Sequence, residues 1–410
     1  MRLSNLKEID FKLISQLVVA ALFSGLIPLL FEPFFKSNFS PDQYGKYELF
    51  IKLTMLFCLL MTFKAEAALS SLTKNSLKLY YDRCVELSIN LFFVYLTFYT
   101  VLIFFFESIY SSTVYFSLIA GLIFSLITIT ITYLLRINHN TLVSLQKPIR
   151  RLTEVFVLLF FIFFFNPPHA LEISTIVGLT ASLIPLFRAA KAKTRPFKFD
   201  INSYKKLFNR SKSIMLGELL NVISLSFLTF FVFIKYSAED LGVLELSFKI
   251  LSIPQLLICS AVGVVIQNNI GKLVSEKKKI FNNVKMFFFL LLAISFSFTI
   301  VIFIGTEYVI ENLFNSNWIK SSSYTIILLP HLFCFIIFSP LSRVLYALME
   351  NDAIRNWQFI KLGLILTTLA FQNKNLEDFL FIYSIVSAAS YLTLIYFIFK
   401  GVNSHQGKIV

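Results

Sequence analysis

Long apolar stretches recur along the whole chain, and their length is the feature that most limits its fold. A stretch of roughly 20 apolar residues crosses a bilayer as a helix, with its backbone hydrogen bonds satisfied internally. With 57% hydrophobic and only 15% charged residues, a water-soluble fold of 410 residues could not bury this apolar surface. The sequence predicts an all-α polytopic membrane protein with about twelve transmembrane helices and excludes a soluble enzyme. The expected spans are 12–31, 44–68, 85–106, 113–135, 152–165, 171–190, 213–234, 241–267, 284–305, 324–348, 357–372 and 377–399.

The net charge of +14 follows from where the basic residues lie between these spans. If the N-terminus is cytoplasmic, few basic residues fall in the outer segments and most fall in the inner ones. The outer set is Lys36, Lys46, Lys235, Lys320 and Lys374. Cytoplasmic loops of membrane proteins are rich in Lys and Arg, so the pattern predicts that both termini are cytoplasmic. It requires no nucleic-acid partner.

A basic segment divides the chain into two halves of six spans. We expect an N-terminal lobe at residues 1–190, a basic cytoplasmic linker at 191–212 and a C-terminal lobe at 213–410. A short internal sequence repeat supports a duplication of the two halves, because residues 39–52 align without a gap on residues 236–249. We call this repeat the internal echo. Both segments enter the second helix of their half from the outside, as parallel repeats of a transporter would.

The same two segments carry a resemblance to a known family. The segment Ser-Pro-Asp-Gln-Tyr-Gly-Lys-Tyr at 40–47 resembles the polysaccharide and O-antigen flippases of the multidrug/oligosaccharidyl-lipid/polysaccharide (MOP) exporter superfamily. In the second half, Ser-Ala-Glu-Asp-Leu-Gly at 237–242 and the pair Ile253-Pro254 carry it, although Leu241 replaces the usual aromatic residue. Span count and topology extend the similarity over nearly the whole chain.

This resemblance implies a fold and a function that the composition alone could not specify. It implies two six-helix lobes around a central cavity in the cytoplasmic membrane of a bacterium. It further implies a flippase that moves an undecaprenyl-diphosphate-linked oligosaccharide, an O-antigen or capsule repeat unit, to the outer leaflet by alternating access. The implied partners are this lipid-linked substrate, the phospholipid bilayer, and the polymerase and chain-length proteins of the same pathway.

Ionisable residues inside the spans are the candidate site residues, because they are expensive in hydrocarbon and usually functional. A diphosphate needs cations nearby, and the predicted substrate-binding set is Lys52, Lys249, Arg343 and Lys361. Glu48 precedes Lys52 by four residues, and Glu245 precedes Lys249 in the same way, which is the favourable spacing for an intrahelical pair. Such pairs could instead be self-neutralised, with lysines extending to the interface.

Two carboxylates are the candidates for ion coupling. Glu218 stands in an otherwise apolar seventh span, and Glu66 lies near Lys64 at the inner end of the second span. The alternative is that Glu218 is hydrogen-bonded in the helix packing or is a partner of a neighbouring Lys.

Several other functions are alternatives to the flippase. The chain has no GxxxxGK[ST] motif, so ATP cannot drive it directly, and a secondary transporter is the expected class. A drug or cation antiporter of the same superfamily is the first alternative, followed by a major-facilitator carrier. A membrane O-antigen polymerase or glycosyltransferase is disfavoured because no large external loop carries catalytic residues. The scattered Cys and His residues predict no disulfide framework and no metal site, and no cofactor is expected.

Overall fold

The computed structural model describes residues 11–69, 74–105, 111–165, 167–191, 201–255 and 259–407. Within these ranges the regular secondary structure is helical, and no strand occurs. This agrees with the expected all-α class, since helices let every backbone group find a partner inside hydrocarbon. The helices are α1 (Phe11–Asn38), α2 (Pro41–Thr62), α3 (Ala65–Leu69), α4 (Lys74–Phe105), α5 (Ser112–Arg136), α6 (Asn140–Phe164), α7 (Ala170–Ala190), α8 (Ile201–Lys235), α9 (Ala238–Pro254), α10 (Ser260–Ser275), α11 (Phe281–Leu313), α12 (Lys320–Ile327), α13 (Leu329–Leu341), α14 (Arg343–Ala347), α15 (Asn351–Thr367) and α16 (Leu376–Gly407).

Each of the twelve expected spans corresponds to one helix or to a short run of consecutive helices in the described residues. The tenth span is divided into α12, α13 and α14, where Pro330 and Pro340 each remove a backbone donor. The eighth span corresponds to α9 and α10, and residues 256–258 between them lie outside the described residues.

The fifth span is longer than expected, because α6 begins at Asn140 and not near residue 152. Arg150 and Arg151 lowered the hydropathy of this segment, yet both bind Glu154 on the same helix, at 2.7 and 2.6 Å. Spacings of three and four residues place side chains on one helix face. The ion pairs therefore let charged residues continue the helix.

Seven of the described helices or helical runs are by themselves long and apolar enough to cross a membrane. They are Ser76–Phe105, Ser112–Arg136, Ala170–Ala190, Ile214–Lys235, Phe281–Leu313, Leu329–Ala347 and Leu376–Gly407. The other segments include α2, which carries both Glu48 and Lys52, and the charged first half of α6. The chain is a multi-pass membrane protein.

The helices form two compact units. Unit 1 comprises residues 1–32 and 46–222, and unit 2 comprises residues 33–45 and 223–410. The end of α1 and the start of α2 therefore belong to unit 2, together with α9 and the later helices. The lobe boundaries expected from the sequence stay a prediction, although residues 201–212 of the expected linker are the first turns of α8.

Candidate functional site

The predicted intrahelical pair of α2 is present in unit 1. The Lys52 ammonium lies 3.0 Å from a carboxylate oxygen of Glu48, and both side chains are partly exposed. This pair is formed entirely within one helix, by the four-residue spacing that the sequence shows.

The matching pair of α9 lies in a buried ionic cluster of unit 2. The two oxygens of the Glu245 carboxylate accept from two ammonium groups, Lys249 Nζ at 2.7 Å and Lys36 Nζ at 2.7 Å. Glu245 and Lys36 are buried, whereas the Lys249 side chain keeps 28% of its surface exposed. Lys249 is therefore the member of this cluster that a soluble group could reach.

Two aromatic rings enclose the Lys36 ammonium. Its Nζ lies 3.6 Å from the ring centre of Tyr44 and 3.7 Å from that of Trp318, within the range of strong cation–π contacts. The Trp318 indole also donates to the Lys36 carbonyl at 3.0 Å. We call Lys36, Tyr44, Glu245, Lys249 and Trp318 the ionic cluster.

The position of Lys36 corrects the sequence analysis, which placed it in an outer loop. Helix α1 continues to Asn38, and Lys36 is 1% exposed. The signal was present but weak: Phe31, Phe34 and Phe35 keep the segment apolar up to the lysine. Trp318 was also missed, because nothing in the sequence links it to a residue far earlier in the chain.

Two glycines allow the backbones of α2 and α9 to meet beside the ionic cluster. A Cβ added to Gly45 would overlap the carbonyl of Ala238, and one added to Gly242 would overlap the carbonyl of Pro41. In the internal echo, Gly45 matches Gly242 and Pro41 matches Ala238, so the two contacts are reciprocal. The aligned segments therefore cross each other at equivalent points.

Lys361 occupies an aromatic pocket elsewhere in unit 2. Its ammonium lies 5.2 Å from the ring centre of Tyr391 and 5.5 Å from that of Trp357, and the residue is 4% exposed. His331 packs against Tyr391, and its Nδ1 is 2.8 Å from the Ser387 hydroxyl. Among the described residues, no carboxylate forms an ion pair with Lys361.

Arg343 begins α14 and is exposed. Its guanidinium lies 5.4 Å from the ring centre of Tyr346, and no ion pair to a carboxylate is formed among the described residues. Arg343, Lys361 and Lys249 lie in one unit, and Lys52 lies in the other.

The two predicted coupling carboxylates, Glu66 and Glu218, both lie in unit 1. Glu218 is partly buried on α8, and Glu66 is buried at the start of α3. Lys64 Nζ is 3.7 Å from one oxygen of Glu66, while the other oxygen is buried without a hydrogen-bond partner in the described structure. The unpartnered oxygen of Glu66 is therefore the acceptor that a proton or a cation would satisfy.

The backbone beside Glu66 is strained. Phe63 and Lys64 have φ angles of 47° and 55°, in the left-handed region that bulky residues rarely adopt. They separate α2 from α3, where the sequence predicted one continuous span. Strain of this kind persists only where the surroundings enforce it, and it clusters at functional sites. No group of three His, Cys, Asp or Glu side chains in the described part of the chain is arranged to hold a metal ion.

A comparison with protein families gives one match. The model of the family described as polysaccharide biosynthesis protein matches residues 39–323, which is more than half of the chain. That range includes the ionic cluster apart from Lys36, and it includes Glu66 and Glu218. No significant match to a curated protein sequence was found.

Solved structures of transporters share the fold over almost the full length. An inward-facing multidrug transporter of the MATE family, in the MOP superfamily, aligns with a TM-score of 0.69 and 11% identity, over 95% of this chain and 96% of that one. The lipid II flippase MurJ aligns with a TM-score of 0.67 and 14% identity, over 98% and 91%. A MOP superfamily transporter from Pyrococcus furiosus aligns with a TM-score of 0.64 and 11% identity, over 96% of both chains. These likenesses establish the MOP transporter fold, with its twelve or so helices.

Proposed function

Because this chain belongs to the polysaccharide biosynthesis protein family, we propose that it moves a lipid-linked oligosaccharide across the cytoplasmic membrane of a bacterium. The fold supports this assignment, since the solved proteins that share it include a lipid II flippase. The cargo is an O-antigen or capsule repeat unit on undecaprenyl diphosphate, and polymerase and chain-length proteins act on it afterwards. The chain works as a secondary transporter and not as an enzyme.

The observation that carries the proposal is the buried ammonium of Lys361. A charge held in a low-dielectric interior is costly unless an opposite charge compensates it. Among the described residues, neither Lys361 nor Arg343 forms an ion pair with a carboxylate, in contrast to Lys36, Lys52 and Lys249. An anionic cargo such as a diphosphate would supply the missing charge. A cationic drug would add to the imbalance, which argues against a drug antiporter.

The four predicted cations therefore divide into two roles. Lys361 and Arg343 bind the diphosphate, because their charge has no carboxylate partner in the described structure. Lys52 and Lys249 form ion pairs with Glu48 and Glu245. Each carboxylate neutralises part of the charge that its lysine could offer to the cargo. These two lysines bind more weakly, and they orient the cargo.

The experiment compares variants reconstituted into liposomes with a fluorescent undecaprenyl-diphosphate sugar as the probe. We expect Lys361→Gln to slow flipping about ten-fold or more, because a hydrogen bond to a charged group contributes about 1.5–3 kcal/mol. Lys361→Arg should keep most of the activity. Lys374→Gln, at an exposed lysine between α15 and α16, is the matched control and should flip normally.

Competition with soluble diphosphate separates binding from folding. If Lys361 contacts the diphosphate, the parent protein binds inorganic diphosphate and the Lys361→Gln variant binds it more weakly. Equal flipping by the Gln variant and the parent, with equal competition by diphosphate, would remove Lys361 from the site.

A further inference from the structure

We propose that unit 2 carries a binding groove for one acyl chain of an anionic phospholipid, at the end of the unit where α11 begins and α16 ends. The groove lies between the start of α11, the end of α13 and the last third of α16. Its eleven lining residues are apolar apart from Lys285, and they include Phe281, Phe289, Phe338, Ile395 and Phe399. Lys285 is the one charged residue among them, so the interior suits a hydrocarbon chain. This proposal goes beyond the proposed function, since it uses none of the residues assigned to cargo.

The packing of aromatic rings builds the groove walls. Phe281 of α11 lies against Phe399 of α16, with ring centres 6.2 Å apart, and Phe288 lies 6.3 Å from Phe338 of α13. Both ring pairs are tilted, with interplanar angles of 42° and 41°. The groove is therefore a feature of three helices that are already packed together.

The depth of the groove matches one leaflet. From Phe281 to Phe289 the helix rises about 12 Å, at 1.5 Å per residue. Half of the hydrocarbon core of a bilayer is about 15 Å thick. One acyl chain that runs along α11 thus stays inside the groove for most of its leaflet, whereas the much longer undecaprenyl chain would extend well beyond it.

The rim of the groove is basic. Lys277, Lys278 and Lys279 precede α11, and all three are exposed, as are Lys285 and Lys400. His405 Nε2, near the end of α16, lies 3.3 Å from the Lys278 carbonyl, so the basic segment sits at the mouth of the groove.

One carboxylate offsets part of this charge. Glu276 binds the Lys278 ammonium at 2.8 Å, and this hydrogen bond lowers the pKa of the Glu276 carboxyl. Lys277, Lys279, Lys285 and Lys400 form no carboxylate ion pair among the described residues. Basic residues around a pocket between membrane helices recognise anionic headgroups. A neutral phospholipid would fill the apolar interior and leave these charges unused.

The test uses the full-length protein in phosphatidylcholine nanodiscs that contain a small fraction of a photoreactive lipid. Phosphatidylglycerol and phosphatidylcholine with the same diazirine-labelled acyl chain are compared, and the crosslinked residues are mapped by mass spectrometry. We expect phosphatidylglycerol to label the groove residues on α11 and α16 far more than phosphatidylcholine does. Each lysine near an anionic headgroup should contribute about a five-fold preference.

Two pairs of variants locate the site. Lys285→Gln should lower the phosphatidylglycerol preference about five-fold, whereas Lys374→Gln, before the opposite end of α16, should leave it unchanged. Ile395→Trp should fill the groove and abolish its labelling. Leu392→Trp, on an exposed position of α16 outside the groove, should not.

Several outcomes would overturn the proposal. Equal labelling by the two lipids in the parent protein would show a nonspecific apolar surface, and this result needs no variant to fold. Labelling at Leu392 as strong as in the groove would show ordinary annular lipid. Displacement of the label by undecaprenyl phosphate but not by phosphatidylglycerol would assign the groove to the cargo.

Discussion

The carboxylate of Glu245 compensates two ammonium groups at once, and one of them, that of Lys36, is buried. Removing one partner of a buried ion pair typically costs about 3–5 kcal/mol, because the other charge stays buried. We expect Glu245→Gln to lower the free energy of unfolding in detergent by about that amount. Trp fluorescence follows the unfolding transition. Lys36→Met should cost less, since Glu245 keeps its contact with Lys249.

The double variant separates this charge effect from a general packing defect. Replacing both members of a buried pair by uncharged groups is often close to neutral. Lys36→Met combined with Glu245→Gln should therefore be more stable than Glu245→Gln alone. If the double variant is as unstable as the sum of the single variants, the Lys36–Glu245 contact contributes nothing.

Glu218 is the residue that we expect to couple transport to an ion. An ionised carboxylate inside a membrane is costly unless a charge compensates it, so a coupling proton or cation would be bound at such a residue. Glu218→Gln should bind cargo normally but flip it at a rate that no longer depends on an imposed pH difference. The assay is glycolipid flipping in proteoliposomes with and without that gradient.

The control for this prediction is Glu307→Gln, which changes an exposed carboxylate on α11. It should respond to the gradient as the parent does. An undiminished response of Glu218→Gln would exclude Glu218 from coupling, and a response to a sodium gradient alone would replace the proton by a metal cation.

Sequence reasoning identified charged residues within spans more readily than it identified their partners. The Glu48–Lys52 and Glu245–Lys249 pairs follow from a four-residue spacing, and the structure confirms both contacts. The contacts of Lys36 with Glu245 and Trp318 join residues more than 200 positions apart, and no local spacing encodes them. The roles of these residues in transport stay predictions.

At the scale of helices, the crossing of α2 and α9 depends on Gly45 and Gly242. Small residues let backbones approach closely in membrane proteins, and here a methyl group would meet a backbone carbonyl, which cannot rotate away. We expect Gly45→Ala and Gly242→Ala each to destabilise the protein by about 1–3 kcal/mol, the usual cost of overpacking. Thermal unfolding in detergent measures this.

Gly305→Ala in α11 is the matched control, because its added Cβ would point into open space and meet no neighbouring helix among the described residues within 4 Å. Alanine favours a helix over glycine by up to about 1 kcal/mol, so this variant should be as stable as the parent or slightly more stable. Equal losses in all three variants would mean that glycine flexibility, and not the crossing, matters.

Helix positions were predictable where hydropathy was continuous, and their ends were less so. The sixth span, expected at 171–190, is α7 at Ala170–Ala190, because its apolar run has sharp polar limits. The predicted start of α6 was wrong, because an average of hydropathy does not take account of the ion pairs that Arg150 and Arg151 form. The second span was expected to be continuous, but a turn at Phe63 and Lys64 interrupts it. Neither residue is a glycine, so the sequence did not indicate a positive φ there.

At the scale of the whole molecule, the resemblance read from two short segments agrees with the family match and with the MOP fold. The internal echo also has a structural counterpart, because the aligned segments meet through the reciprocal contacts of Gly45 and Gly242. Composition explains why a membrane protein was predictable. No single motif predicts the chemical class of the cargo, because the four cations expected to bind it lie on four separate helices.

The length of α16 gives a direct test of orientation in the membrane. The helix has 32 residues and is about 48 Å long at 1.5 Å per residue, which exceeds the 40–45 Å of a bilayer with its headgroups. Lys374 lies just before its first turn. Lys278 lies beside its last turn, where the Lys278 carbonyl is 3.3 Å from His405. We therefore expect the two lysines to lie on opposite sides of the membrane.

The distribution of basic residues predicts that Lys374 is outside and Lys278 is inside. In a background without native cysteines, Lys374→Cys should react with an impermeant maleimide in intact cells. Lys278→Cys should react only after the membrane is permeabilised. Both side chains are exposed, so a difference in labelling reports the side of the membrane on which each residue lies. The reverse pattern would invert the topology, and both termini would then lie outside. Labelling of both positions in intact cells would mean that α16 does not span the membrane, and the twelve-span arrangement would fail with it.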